Sequence, residues 1–322
     1  MTNESEAAKA VHIAEELLDE IRLQRLELAA VNKCLANLET EHQAMSMALT
    51  KLCKRVSHLG PDLQAVLRML HLDPEALPYP QRLMVQRYRL KSQNEEDGIT
   101  LALFEQVGTI NRQFIEIGSG LSGGNSALLA SELGWTGLML DGDTERMVQV
   151  GRRFPNVRAV AAWVTRENIN DLIADAGLGG EIDFVSIDLD GNDYWVWRAL
   201  DVCSPRIVIL EFNAAFGPDR ALTVQYDPAF DRAAFKDVTA HFYGASLTAF
   251  EQLGREKGYR LVVGEPRGAN IYLLRNDVAP EISASPVHAV YPDLLHDPQP
   301  FFDLITKAQL PLVDLGVDSP EA

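Results

Sequence analysis

Three groups of residues in this chain have types and spacings suited to chemistry. Glu116 stands two residues before Gly118, which is followed by Gly120, Gly123 and Gly124, and the next apolar run ends on Asp141. Asp188 and Asp190 close one further apolar run, and Glu211 and Asn213 close another. His241 is the one histidine between residues 92 and 276. Glycines at such a turn let the backbone bend sharply and approach a ligand where a Cβ would collide. An acid at the tip of the following strand can accept both hydroxyls of a ribose. Three carboxylates and an amide oxygen crowded together must be neutralised by protons or by a cation. All-oxygen ligation suits Mg²⁺, Ca²⁺ or Mn²⁺ rather than zinc. A histidine beside such a cleft could take the proton of a hydroxyl nucleophile.

The glycine turn admits two cofactors. Gly118, Gly120 and Gly123 satisfy G-x-G-x-x-G, the dinucleotide fingerprint, with Asp141 where the ribose acid belongs. Glu116 opposes that reading, because dinucleotide strands are normally apolar there. An acid at that point suits a cofactor with a cationic amino-acid end, such as S-adenosylmethionine (SAM).

The elements around these residues follow from periodicity and punctuation. Short apolar runs predict strands near 114–117, 137–140, 157–164, 183–188, 206–212, 259–263 and 270–274. Between them, helical patterns run over 126–133, 144–154, 165–176, 192–200 and 245–257, with Asp143 placed to cap the second. The polar cluster Ser92 to Gly98 reads as the cap of a helix from Ile99, with Gln93 or Asp97 near enough to the glycine turn to touch a cofactor. The last two strands are joined by only six residues, Gly264 to Ala269. A parallel crossover needs about a dozen, so these strands must be antiparallel neighbours. The expected fold class is therefore α/β, a Rossmann-like, mostly parallel sheet with a reversed last strand. That is the class I methyltransferase architecture, and it favours SAM over a nicotinamide dinucleotide.

Several segments carry a resemblance to a known family: SQNEEDGI (92–99), FIEIGSG (114–120), GLMLDGD (137–143), SIDLDGNDYWVW (186–197), ILEFNAAFGP (209–218) and YGASL (243–247). Together they resemble the FkbM-like group of bacterial methyltransferases, which are related to sugar O-methyltransferases. The resemblance covers about residues 92 to 276. It implies SAM as cofactor and a sugar or glycan hydroxyl as acceptor.

Ligands of open α/β sheets bind beyond the carboxyl ends of the strands. The cofactor-binding candidates are thus Glu116, facing the methionine end or its supporting backbone, Gly118, Gly120, Asp141 at the ribose, Ala162 and Trp163 flanking the adenine, and Asp188. The divalent-metal candidates are Asp188, Asp190, Glu211 and Asn213. His241 is the first candidate for general base, with Asp188 or the Tyr226-Asp227 pair as alternatives. The insertion from 213 to 243 is long enough to supply an acceptor-binding lid.

Outside this core, residues from about 8 to 57 contain no Gly or Pro and show heptads. Ala14, Ile21, Leu28, Leu35, His42, Leu49 and Val56 fall at a, and Leu17, Gln24, Val31, Leu38, Met45 and Leu52 at d. That pattern predicts a self-associating coiled coil, ended by Gly60-Pro61. The expected organisation is a coiled-coil helix over 1–58, a helical linker over 59–91, a methyltransferase domain over 92–280 and a Pro-rich tail over 281–322.

The net charge of −17 argues against nucleic acid or an anionic membrane as the main partner. Cys34, Cys53 and Cys203 form no C-x-x-C pair, the N-terminus lacks a signal-peptide pattern, and no apolar run is long enough to span a bilayer. A cytoplasmic protein is expected. The Asn/Asp-Pro-Pro-Tyr and Pro-Cys motifs of DNA methyltransferases are absent. Two rival readings stand beside the methyltransferase: a nicotinamide-dependent oxidoreductase, and a scaffold whose methyltransferase domain is degenerate.

Overall fold

Successive residues of each central strand enter two different cores, one on either face of a sheet. Phe114, Phe184, Ile207 and Tyr272 pack on one side, while Ile115, Val185, Val208 and Leu273 pack on the other. This period of two follows from strand geometry, and it gives a sheet covered by helices on both faces. The computed structural model describes residues 3–236, 238–292 and 297–316; the side chains of 3–23, 26, 54–59 and 61–62 lie outside the description.

The strands are β1 (Gln113–Ile117), β2 (Thr136–Asp141), β3 (Val157–Ala161), β4 (Gly180–Ile187), β5 (Cys203–Glu211), β6 (Leu222–Val224), β7 (Tyr259–Gly264), β8 (Asn270–Arg275) and β9 (Leu312–Asp314). Seven of them form one sheet in the order β3-β2-β1-β4-β5-β8-β7. The first five run parallel, and β8 lies antiparallel to both β5 and β7. This is the Rossmann-like class I methyltransferase fold, with the reversed strand β8 that the short β7–β8 connection, residues 265–269, requires.

The insertion and the tail build a smaller core. β6 and β9 pair antiparallel, and Ile305 of the tail helix Gln299–Lys307 is buried with Phe216, Leu222, Val224 and Phe242. Sequence periodicity gave no sign of this pairing, since each partner is only three residues long.

The chain divides into two units, 1–63 and 64–322. Gly60-Pro61 does not end the first helix, which runs from Asn3 to His71. Gly60 avoids the left-handed conformation of a C-capping glycine, so no C-cap forms there. Along the described part of the first unit, Leu28, Val31, Leu35, Leu38, Met45, Leu49 and Leu52 are all exposed, as are Gln24 and His42. The side chains of the earlier heptad positions Ala14, Leu17 and Ile21, and of Val56, lie outside the described residues. In the second unit, Ala65 and Leu83, from the stretch read as linker, are buried.

One buried acid ties the start of the sheet together. The Asp183 carboxylate on β4 accepts from the backbone N–H groups of Ile110, Asn111 and Arg112 at 2.7–3.0 Å, and from Arg206 Nη1 at 3.3 Å. Removing one partner of a buried, hydrogen-bonded ion pair strands the other, at a cost of about 3–5 kcal/mol. Asp183→Ala should lower unfolding stability by about that amount, read as a shift in the urea midpoint at constant m-value.

Candidate active site

The carboxyl ends of β1, β2, β3 and β4 border a cleft of about 700 Å³, within the size range of small-molecule sites. Glu116 is fully buried beneath its glycine turn and does not line the cleft. Its carboxylate accepts from the N–H of Asn125 at 3.2 Å, and from the N–H of Ser126 at 2.9 Å and its hydroxyl. Of the two placements open to it, supporting the turn's backbone is the one observed. Burial raises its pKa to about 7, against the pull of these hydrogen bonds.

The glycines are required by contact. A Cβ on Gly118, where φ is +85°, would lie 1.6 Å from the Asp188 carbonyl oxygen, and one on Gly124 would lie 2.0 Å from Glu116 Oε1. Gly120, by contrast, faces open space in the cleft.

Asp141 lines the cleft at the end of β2. Its two oxygens accept from the N–H groups of Gly120 and Asp143, both at 3.0 Å, and from Arg146 Nη1 at 3.1 and 3.0 Å. Asp143 caps the helix Thr144–Arg153 by accepting from the Arg146 N–H at 2.9 Å. A ribose taking Asp141 must therefore share it with Arg146, a cleft-lining residue that sequence reasoning missed.

Ala162 and Trp163 follow β3, which ends earlier than expected, and both line the cleft. The Trp163 indole is 56% exposed, yet its Nε1–H donates to the Pro228 carbonyl at 2.7 Å.

Beyond β4, Asp188, Leu189, Asp190 and Asn192 line the cleft. The turn is shaped by Asp193, which is fully buried and accepts from the N–H groups of Leu189 at 2.7 Å and Gly191 at 2.9 Å. Asp190 holds a left-handed φ of +56°, making it the turn residue as well as a candidate ligand. Asp188, Asp190 and Glu211 each place a carboxylate oxygen within 4.8 Å of the others. Burial, then the negative charges of Asp193 and Asp190, push Asp188 up to about 8, opposed by a hydrogen bond with Glu211. Burial and the Asp188 charge likewise hold Glu211 well above the ordinary carboxylate range. Glu211 Oε2 is buried and has no hydrogen-bond partner.

The insertion supplies the counter-charge. Arg232 pairs with Asp190, lies 3.7 Å above the Tyr243 ring, and donates from Nη2 to the Ala240 carbonyl at 3.1 Å. Nothing in the sequence near Arg232 marked it as the partner of an acid forty-two residues earlier.

Four expectations are corrected. Asn213 does not line the cleft and serves the backbone: its Nδ2 donates to the His241 and Tyr243 carbonyls at 2.6 and 2.9 Å, and its Oδ1 accepts from the Ala215 N–H at 3.0 Å. His241 does not line the cleft; its ring packs against Phe301 at 4.4 Å, and burial and Arg232 lower its pKa. Asp97 accepts from the N–H groups of Leu90, Lys91 and Ser92 at 2.6–3.0 Å, so it folds its own loop, while Gln93 does reach the cleft. Neither Tyr226 nor Asp227 lines the cleft; the Tyr226 hydroxyl bonds to Glu167, and the Asp227 carboxylate accepts from the Ala229 N–H at 2.8 Å.

No family model and no curated protein matches the chain. Among solved structures it is similar to the O-methyltransferase NcsB1 from neocarzinostatin biosynthesis, in complex with SAM and 2-hydroxy-5-methyl naphthoic acid, at 14% identity and a TM-score of 0.33. The match covers 51% of this chain and 49% of NcsB1. An O-methyltransferase family protein from Burkholderia thailandensis matches at 12% identity and a TM-score of 0.34, covering 56% of this chain and 57% of that one. A SAM-dependent methyltransferase from Thiobacillus denitrificans, in complex with S-adenosyl-L-homocysteine, matches at 15% identity and a TM-score of 0.32, covering 58% and 73%. The chain thus spans about half the length of NcsB1. Likenesses at this level carry no weight for activity or substrate.

Glu116 links the turn to pH. An unfolded glutamate loses its proton near its ordinary value of 4.5, whereas the folded one keeps it to about 7. Between those values folding takes up a proton, so this group's contribution falls as pH rises and is constant outside the window. Glu116→Gln should flatten that part of the stability decline, measured as urea midpoints between about pH 4.5 and about pH 7.

Proposed function

We propose that this protein is a SAM-dependent O-methyltransferase of the FkbM-like kind, acting on a hydroxyl of a sugar or glycan and self-associating through its N-terminal helix. One observation carries the reading. A glycine turn pinned by buried Glu116 opens onto the same cleft as Asp141, Trp163 and Asp188, at the carboxyl edge of a class I sheet.

SAM would supply an activated methyl group on a sulfonium. Gly118 and Gly120 would leave its amino-acid end room against the backbone, Asp141 would accept from the ribose hydroxyls, and Ala162 and Trp163 would flank the adenine. The cleft walls would have to hold an acceptor hydroxyl in line with that methyl group, since alignment of the two ligands does much of the work in such a displacement. The hydroxyl proton passes to a base, and Asp188 is the cleft-lining group suited to that role. Its raised pKa makes its ionised form a stronger proton acceptor than an ordinary carboxylate.

The trio of Asp188, Asp190 and Glu211 also fits a hard divalent cation. Its donors are all oxygen, and Glu211 Oε2 is buried without a partner. Such an ion would polarise the acceptor hydroxyl. The acidic composition speaks against nucleic acid as acceptor, and no helix among the described residues is long and apolar enough to cross a membrane.

Self-association is supported by the exposed stripe Leu28, Val31, Leu35, Leu38, Met45, Leu49 and Leu52, whose spacing is that of a and d positions. Leu35→Glu combined with Leu49→Glu should convert an oligomer to a monomer in light-scattering mass measurements, with SAM binding retained. A wild-type monomer would sink the coiled-coil reading.

Calorimetric titration with SAM, with NAD as control and with and without EDTA, tests the enzyme reading. SAM binding with silent NAD is expected, and Asp141→Ala should weaken it by about tenfold or more, or ~1.4 kcal/mol. A loss of affinity after EDTA would support a cation beside the cofactor. NAD binding in place of SAM would instead mark an oxidoreductase.

A further inference from the structure

The exposed indole of Trp163 is held by more than its own loop. On one side lies Gly142, where a Cβ would come within 2.9 Å of the ring. On the other, its Nε1–H donates to Pro228 in the insertion. The same stretch of insertion is fastened at three further points. Asn192 Nδ2 donates to the Asp227 carbonyl at 2.8 Å, Phe230 covers Gly191 so closely that a Cβ there would lie 2.3 Å away, and Tyr226 bonds to Glu167 beneath the Arg166 guanidinium. Phe230, Asp231, Arg232, Ala233, Lys236 and Ala240 form the insertion's share of the cleft wall.

We propose that Trp163 is a positioning residue that couples occupancy of the cofactor site to the order of the acceptor-side wall. This rests on the cofactor reading above. A planar base packed on the indole restricts the ring, and the restricted ring holds Pro228 through a single directional hydrogen bond. Coupling between two sites is reciprocal, so a cofactor that orders residues 226–236 also binds more tightly once an acceptor has ordered them. The Tyr226–Glu167 tie lies outside the cleft and strengthens the wall without responding to the cofactor.

The test is amide hydrogen exchange of the full-length protein with and without S-adenosylhomocysteine, with binding followed in parallel by calorimetry. In the wild type the ligand should slow exchange at 226–236 by about fivefold or more, the lower end of typical coupling. Trp163→Phe keeps a planar face but has no N–H donor. Its smaller ring should weaken ligand binding, so exchange is compared at saturating ligand, where the slowing at 226–236 should fall by more than half. Tyr226→Phe should raise exchange of this stretch equally with and without ligand, leaving the ratio unchanged; a merely structural role for Trp163 would give that same pattern in Trp163→Phe. Ligand binding without slowing in the wild type, or undiminished slowing in Trp163→Phe, overturns the coupling and leaves the cofactor reading intact. Absence of ligand binding to the wild type overturns both.

Discussion

A carboxylate shut away from water must find its hydrogen bonds within the protein, and Glu116 finds them in the backbone that follows the glycine turn. This constraint orders the whole cleft. The N–H groups of Asn125 and Ser126 are orphans at the start of a helical segment, and an acid beneath them satisfies both. With that end fixed, Gly118 packs against the Asp188 carbonyl without room for a methyl group, locking the β1 turn to the β4 turn. Gly120 then donates to Asp141, bringing in the end of β2. Three strand ends are placed by one buried charge and the absence of side chains at two glycines. The Glu116 carboxylate is paid for in solvation, which its raised pKa records.

The far side of the cleft is governed by repulsion. Asp188, Asp190, Asp193 and Glu211 converge where β4 and β5 end, and ionised neighbours at such distances destabilise one another. The fold meets this in three ways. Asp193 is spent on two backbone N–H groups, Asp188 and Glu211 are pushed towards protonation, and Asp190 reaches out to Arg232. The last of these makes the insertion part of the electrostatic balance of the sheet. Arg232 is in turn set over Tyr243 and bonded to the Ala240 carbonyl, so the C-terminal end of the insertion is drawn to the acid cluster.

What the sequence made legible follows from the range of the interactions involved. Strand positions came from local apolar runs, and the reversed β8 came from a connection too short to cross over. The glycine turn and Asp141 could be read because their geometry is set within one strand–turn–helix unit. Asn213 and His241 were misplaced because residue type says what a side chain can do, not which neighbour takes it first. The Asn213 amide is consumed by the backbone of 241–243 and by its own turn. Arg146, Asn192 and Arg232 were missed because their roles depend on partners brought together by the fold. The helix end at Gly60-Pro61 was misread for a related reason. An interior proline removes one helical hydrogen bond and strains the turn before it, at about 3 kcal/mol, yet the helix runs through to His71, and local punctuation alone does not show that.

The small core of Phe216, Leu222, Val224, Phe242 and Ile305 bears on how such a site can acquire a new acceptor. A lid without apolar anchors would depend on its ligand for order. Here the insertion is stitched to the tail through β6 and β9, and its buried side chains stabilise it apart from the central sheet. Each fully buried residue of that size contributes about 1.5–3 kcal/mol. Cleft-facing positions such as Ala233 and Lys236 lie outside this cluster and are exposed, so their side chains can change without opening a cavity. The sheet thus fixes the strand ends that border the cleft, while the insertion leaves part of the cleft wall free to vary.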